Sequence, residues 1–327
     1  MNILKNILLF MLVLVLVVPV SSAKDKDSFI KNKLQNLYQN KLFFINYQGL
    51  KRKYLVHIPK TYKSSDKIPV VINLHGGGGD ILNAMKQTQM NKKSDEAGFL
   101  LVYPQGTGLV IGKKIFGTWN AGRCCGWAKE NDIDDVGFIK KVIEDLKENF
   151  NVDEKRIYAT GHSNGALMCY RLACELSTEI AAIAPNAALD SVDYCNPRRN
   201  VPILHLHGTD DPAALFNGGH CGGRMTNDPG WDCSGVIDYI DKWKSMQGCI
   251  GDKKIFYKKG KASCYVYDEC DGFSEVGLCI IEGAGHTWPS GEYFPNTDKF
   301  KEAVGEINYD LAANDIIWDF FKKHSLP

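Results

Sequence analysis

The chain has 327 residues, with 39 lysines and arginines against 38 aspartates and glutamates, a net charge of +1. That balance, without a basic patch interleaved with aromatics or an acidic tail, excludes nucleic acid and strongly charged membranes as expected partners. The length suits one large α/β domain as well as two small ones, and 11 cysteines suggest disulfides.

The first residues read as a leader. Lys5 supplies a short basic start, Ile7 to Val18 is an unbroken apolar block, and Ser21-Ser22-Ala23 offers small residues for cleavage after Ala23. The block falls short of the ~20 residues of a membrane span, and Pro19 interrupts it. A secreted, extracellular product is expected, with 24–327 as one catalytic domain, off the membrane after cleavage and monomeric. Secretion favours disulfides over zinc, since no Cys-x-x-Cys pair seeds a tetrahedral site. The odd count leaves at least one thiol unpaired, and the neighbours Cys124 and Cys125 are expected to bond to different partners.

Beyond the leader, apolar runs alternate with helical patterns. Leu42–Tyr47 and Tyr54–Ile58 alternate as two antiparallel strands. Ile68–Leu74 is a buried strand ending in His75-Gly76-Gly77-Gly78-Gly79. Asn83–Ala97 reads as one helix, Phe99–Tyr103 as a strand, and Asp135–Phe150 as a helix capped by Asp134 or Asp135. Next come a strand over Ile157–Thr160, a helix from Ala166 to Leu176, and strands over Ile180–Ala184 and Ile203–His207. Gly235–Met246 is helical, three short strands follow (Ile255–Tyr257, Cys264–Tyr267, Val276–Ile281), and Ala312–His324 is a closing amphipathic helix. This alternation predicts an α/β fold, a mostly parallel sheet covered on both faces. The irregular stretches Gln105–Asn131 and Asp210–Ser234 then lie over the carboxyl edge, where such sheets carry their sites.

One stretch carries the chemistry. Gly161-His162-Ser163-Asn164-Gly165 sits between strand and helix, the context in which Gly-x-Ser-x-Gly projects a serine Oγ off the sheet. A serine hydroxyl needs a base, and the base a carboxylate, in the chain order Ser, acid, His. His286, in the small-residue loop Gly283-Ala284-Gly285-His286, fits the base. Asp210 and Asp211 end a strand and both fit the acid; chain order does not choose between them. The backbone N–H of Asn164 and that of Gly77 (or Gly76) are the candidate oxyanion donors. The glycine loop lacks the Gly-Lys-Ser/Thr of a nucleotide site, and Asn131–Asp135 lacks the spacing of a calcium loop. No metal or organic cofactor is called for.

Taken together, Leu74-His75-Gly76-Gly77, Thr118-Trp119-Asn120-Ala121-Gly122-Arg123-Cys124-Cys125-Gly126, the Ser163 turn, His207-Gly208-Thr209-Asp210-Asp211 and Gly285-His286-Thr287-Trp288-Pro289 resemble the secreted polyhydroxybutyrate depolymerase and feruloyl esterase group. This is the carbohydrate esterase family 1 type of α/β-hydrolase. The resemblance runs from about residue 45 to the C-terminus. It implies Ser163 as nucleophile, His286 as base, Asp211 rather than Asp210 as acid, and a Cys249–Cys270 disulfide. It implies a serine ester hydrolase working through an acyl-enzyme on an ester of a polysaccharide or polyester. Feruloyl esters of plant cell-wall polysaccharide rank first, then poly(3-hydroxybutyrate) and acetylated xylan. An inactive carbohydrate-binding protein on the same scaffold is the alternative outside catalysis. Trp119, Trp127, Phe216 and Trp288 are candidates to stack on the substrate. The chain departs from the group at Ala166, at Pro212–Phe216 and in the added stretch Asn217–Trp231, all near the expected acyl pocket.

Overall fold

Alternation of large apolar residues along the central strands decides the layering. In β3 (Ile68–Leu74), Val70, Ile72 and Leu74 join one buried cluster while Val71 joins the other. The strand is therefore covered on both sides, as a parallel strand must be. The computed structural model describes residues 39–112, 114–190, 192–222 and 230–327. The expected leader and part of the added stretch 217–231 lie outside them.

Strands β1 (Asn40–Tyr47) and β2 (Leu50–His57) open an antiparallel edge ahead of β3. Two helices follow, α1 (Ile81–Thr88) and α2 (Met90–Ala97), then β4 (Leu100–Pro104). A hairpin comes next, β5 (Thr107–Ile111) with β6 (Lys114–Thr118). The chain continues through α3 (Gly126–Glu130), α4 (Asp135–Asn149), β7 (Val152–His162), α5 (Asn164–Glu175), β8 (Ala182–Asn186) and β9 (Ile203–Gly208). A second small hairpin, β10 (Gly219–Cys221) with β11 (Trp231–Cys233), precedes α6 (Val236–Met246). Last are β12 (Lys254–Lys259), β13 (Ala262–Tyr267), β14 (Val276–Ile281), α7 (Asp298–Val304) and α8 (Ala313–Phe321). The main sheet has 10 strands in the order β1-β2-β4-β3-β7-β8-β9-β14-β13-β12. Its centre, from β4 to β14, is parallel, and antiparallel pairs close both edges. Among the described residues no helix is long and apolar enough to cross a membrane.

Two sequence expectations change. The single helix over 83–97 is two, because Gln89 takes a left-handed conformation (φ 52°) that turns the axis and buries Met90. The Thr88 carbonyl at this break accepts from Asn314 Nδ2 at 2.8 Å. The hairpin β5–β6 falls in a stretch read as irregular. Leu109, Val110 and Ile111 stay exposed, so no buried period marks it.

Five disulfides tie the described residues: Cys124–Cys125, Cys174–Cys195, Cys221–Cys233, Cys249–Cys270 and Cys264–Cys279. The Cys249–Cys270 bond agrees with the resemblance, whereas Cys124 and Cys125 bond to each other rather than to separate partners. Both lie on one tight turn, pinned where the Ala121 N–H meets the Cys124 carbonyl at 2.7 Å and the Cys125 N–H meets the Trp119 carbonyl at 3.2 Å. Cys169, buried in α5, keeps its thiol.

A buried ion pair joins the sheet edge to α4. Arg52 on β2 donates to Asp135 Oδ1 (2.8 Å) and to the Gln105 carbonyl (3.1 Å), and Asp135 Oδ2 accepts from the Asn120 N–H (2.8 Å). Burial alone raises the Asp135 carboxyl and lowers the Arg52 guanidinium, and each partner opposes the other's shift. Arg52→Ala leaves a carboxylate without its cation in the interior. The expected loss is about 3–5 kcal/mol, measured as a fall in urea unfolding free energy at neutral pH.

Candidate active site

The turn after β7 leaves no room for side chains on either flank. A Cβ at Gly161 would stand 2.7 Å from the Leu74 carbonyl oxygen, and one at Gly165 only 2.2 Å from it. Strand β3 therefore packs directly against the start of α5, and Ser163 between them takes φ 55°, ψ −122°. A serine held there stores about 1–3 kcal/mol of backbone strain, and such outliers concentrate at reacting centres. The turn is fixed by the Ser163 N–H bonding the Asn186 carbonyl at 3.0 Å. Asn164 opens α5, whose first N–H groups have no partner within the helix.

His286 and Asp211 meet across two loops. The His286 Nδ1–H donates to Asp211 Oδ2 at 2.8 Å, while Asp211 Oδ1 accepts from the N–H groups of Ala213 (2.8 Å) and Ala214 (2.7 Å). Burial by itself would raise the Asp211 carboxyl; the facing His286 and the Ala214 N–H outweigh it and hold the group below the usual range. Asp210 is instead exposed and accepts from its neighbour Thr209. With Nδ1–H committed, Nε2 is the nitrogen of His286 left to take a proton. Ser163 and His286 line one cleft of about 270 Å³.

Each piece is braced from behind. The His286 loop docks on the end of α7 and the segment after it, through its N–H to the Val304 carbonyl (2.6 Å) and that of Gly285 to the Glu306 carbonyl (3.0 Å). The His162 ring lies against that of His286, centroids 4.6 Å apart and planes tilted by 50°, and its Nδ1 accepts from Asn186, which also donates to the Thr287 carbonyl. In the glycine loop, His75 Nε2 accepts from the Gly106 N–H (2.9 Å), so Nδ1 carries the proton and donates to the Gly76 carbonyl (2.8 Å). A trans peptide sets its N–H opposite its carbonyl, so this bond turns the Gly77 N–H away from His75. Gly76 itself lies against Ser163: a Cβ there would be 3.4 Å from the serine's.

Three residues expected to touch substrate do other work. Trp119 is fully buried; its Nε1 donates to the His75 carbonyl (2.9 Å), and its backbone exchanges two bonds with the Asn164 amide (2.7 and 3.0 Å). It braces the glycine loop against the serine turn. Trp288 is buried and donates to Asn314 (3.1 Å). Phe216 packs beside the His207 ring, 6.0 Å between centroids. None of the three lines the cleft. Its apolar wall comes instead from Leu167, Ala188, the Cys124–Cys125 pair, Trp231, Phe294 and Phe300. The sequence signal for Trp231 and the cysteine pair was their place in loops after strands; Phe294 and Phe300 carried none.

Five buried histidines, His57, His75, His162, His205 and His207, are pushed down by burial before any other cause, His75 to about 4. In the unfolded chain these rings take up protons near pH ~6.5, while the folded protein resists them. Their contribution is therefore intact above that pH and is lost as pH falls. Each titrating ring adds up to about 1.4 kcal/mol per pH unit. The urea midpoint is expected to drop continuously from pH 6.5 toward 4; a flat curve over that range contradicts the assignment of neutral rings.

No family model matches the chain. The chain is 31% identical over 281 residues to feruloyl esterase B of Piromyces equi, covering 84% of this chain. It is 29% identical over 251 residues to the bifunctional acetylxylan esterase/xylanase XynS20E of Neocallimastix patriciarum, covering 75% of this chain. It spans only 46% of the first relative's length and 32% of the second's. Among solved structures, the acetyl xylan esterase from Aspergillus awamori superposes with a TM-score of 0.55 at 13% identity, over 81% of this chain and 100% of that one. The shared architecture is the α/β-hydrolase fold, and the sequence relatives support the feruloyl esterase group of that superfamily, the carbohydrate esterase family 1 type.

Proposed function

We propose that the protein is a secreted serine carboxylic ester hydrolase that releases hydroxycinnamic acids from plant cell-wall polysaccharide. The observation that carries the reading is the His286–Asp211 bond at 2.8 Å, which holds His286 in the cleft that Ser163 also lines from its strained turn. Ser163 Oγ attacks the ester carbonyl while His286 Nε2 takes its proton. Asp211 keeps Nδ1–H in place and stabilises the imidazolium. The N–H groups of Asn164 and Gly77 hold the oxyanion. His286 then protonates the leaving alcohol, and water enters by the same route to free the acid. The chain's own groups account for every proton.

The wall of the cleft supports an aromatic acyl substrate. Leu167, Trp231, Phe294 and Phe300 offer an apolar surface broad enough for an aromatic acyl group, which acetate would leave largely uncovered. The names of the two sequence relatives support the same class. Five disulfides and a leader-like start support export to an oxidising compartment, with 24–327 as one catalytic domain.

Purified protein is expected to release ferulate from feruloylated arabinoxylan faster than acetate from acetylated xylan or hydroxybutyrate from its polyester. Preferred release of either of the other acids overturns the substrate assignment. Ser163→Ala is expected to lose about four orders of magnitude or more in kcat, and Asp211→Asn about 10³- to 10⁴-fold.

A further inference from the structure

Behind the acid loop lies a chain of polar groups that the reaction as described does not use. Tyr170 of α5 and His205 and His207 of β9 are all fully buried. The Tyr170 hydroxyl is 3.0 Å from His205 Nδ1, His205 Nε2 is 2.8 Å from His207 Nδ1, and His207 Nε2 is 2.7 Å from the Ala214 carbonyl. One end of this chain dictates every proton in it. A carbonyl only accepts, so His207 Nε2 carries a hydrogen. With the ring neutral, its Nδ1 accepts, so His205 Nε2 donates. His205 Nδ1 then accepts from the Tyr170 O–H. Burial, first among the causes acting on both rings, keeps them uncharged.

The far end of the chain is the turn that holds the carboxylate. Ala214 donates its N–H to Asp211 Oδ1 and presents its carbonyl to His207. Both polar groups of one residue are thus engaged, one by the acid and one by the buried histidine. His207 Nε2 itself stays 3.7 Å from Asp211 Oδ2, beyond hydrogen-bond reach, so it acts on the acid through the turn. We infer that the Tyr170–His205–His207 chain sets the register of the Asp211 loop, with His207 as a positioning residue for the acid. The inference rests on the reading of Ser163, Asp211 and His286 as the reacting set.

The test compares substitutions at 207 in the full-length protein. Kinetics are normalised to sites titrated with a fluorophosphonate. His207→Phe strands the Ala214 carbonyl and the His205 N–H. It is expected to lower kcat about 10- to 100-fold per titrated site, with KM within about threefold of wild type. It should also displace or abolish the far-downfield proton resonance of the hydrogen shared by His286 and Asp211. His207→Gln sets an amide nitrogen where Nε2 stood and should restore most of kcat and the resonance. His207→Asn, whose amide reaches only the Nδ1 position, should not. The Gln and Asn pair decides the matter if the Phe variant does not fold. A merely structural histidine would lower the yield and the melting temperature of all three variants alike, leaving kcat per titrated site and the resonance unchanged; that result overturns the inference. An inactive Ser163→Ala beside indifferent His207 variants sinks this inference alone, whereas an active Ser163→Ala sinks the esterase reading beneath it.

Discussion

The contact on which the rest depends is the approach of the Leu74 carbonyl to the backbone at Gly161 and Gly165. A single added methyl on either residue collides with it. That approach brings the end of β3, with its glycine loop, against the start of α5, and leaves Ser163 no relaxed conformation in which to make the turn. The strain is held by the flanking elements, which are among the most buried in the protein. The glycine loop and Ser163 are thereby neighbours by the packing of the fold itself, and a Cβ at Gly76 would stand 3.4 Å from that of Ser163.

Around this fixed centre the other parts are delivered by loops that leave adjacent strands at the same edge. Asp211 follows β9 and His286 follows β14, and these two strands are parallel partners in the sheet. Sheet register alone brings the two loops together, so a bond between residues 75 positions apart needs no long-range adjustment. Side chains behind them, His162 and Asn186 for the base and Trp119 for the turn, are then free to be bulky and buried, because their task is to hold backbone.

How much of this was legible in the sequence follows from what each signal depends on. Buried parallel strands are continuous apolar runs, and β3, β9 and β14 were read close to their observed bounds. The Ser163 turn was legible because its glycines and serine have a local mechanical reason to be adjacent. His286 was picked out from chain order and Asp211 over Asp210 from the family resemblance, and the structure brings these two side chains within 2.8 Å. What could not be read was the direction in which an aromatic faces. Trp119 and Trp288 stand in the right loops yet point inward, since each indole N–H has a partner in the interior. Phe294 and Phe300 reach the cleft from a segment without periodicity, placed there by contacts with residues 200 positions away, such as the Asn83 amide on the Phe294 carbonyl. Helix propensity over 83–97 was outweighed by a tertiary bond to the Thr88 carbonyl.

The thiol of Cys169 sits in the second turn of α5, the helix that follows Ser163. It is wholly enclosed, and burial lifts it well above the normal thiol range. A maleimide or similar reagent therefore meets a reactive thiolate only in molecules whose α5 has peeled from the sheet. Because the other ten cysteines are already joined in pairs, the protein carries its own clock. The rate at which that one sulfur becomes labelled measures how often the platform beneath the Ser163 turn comes apart.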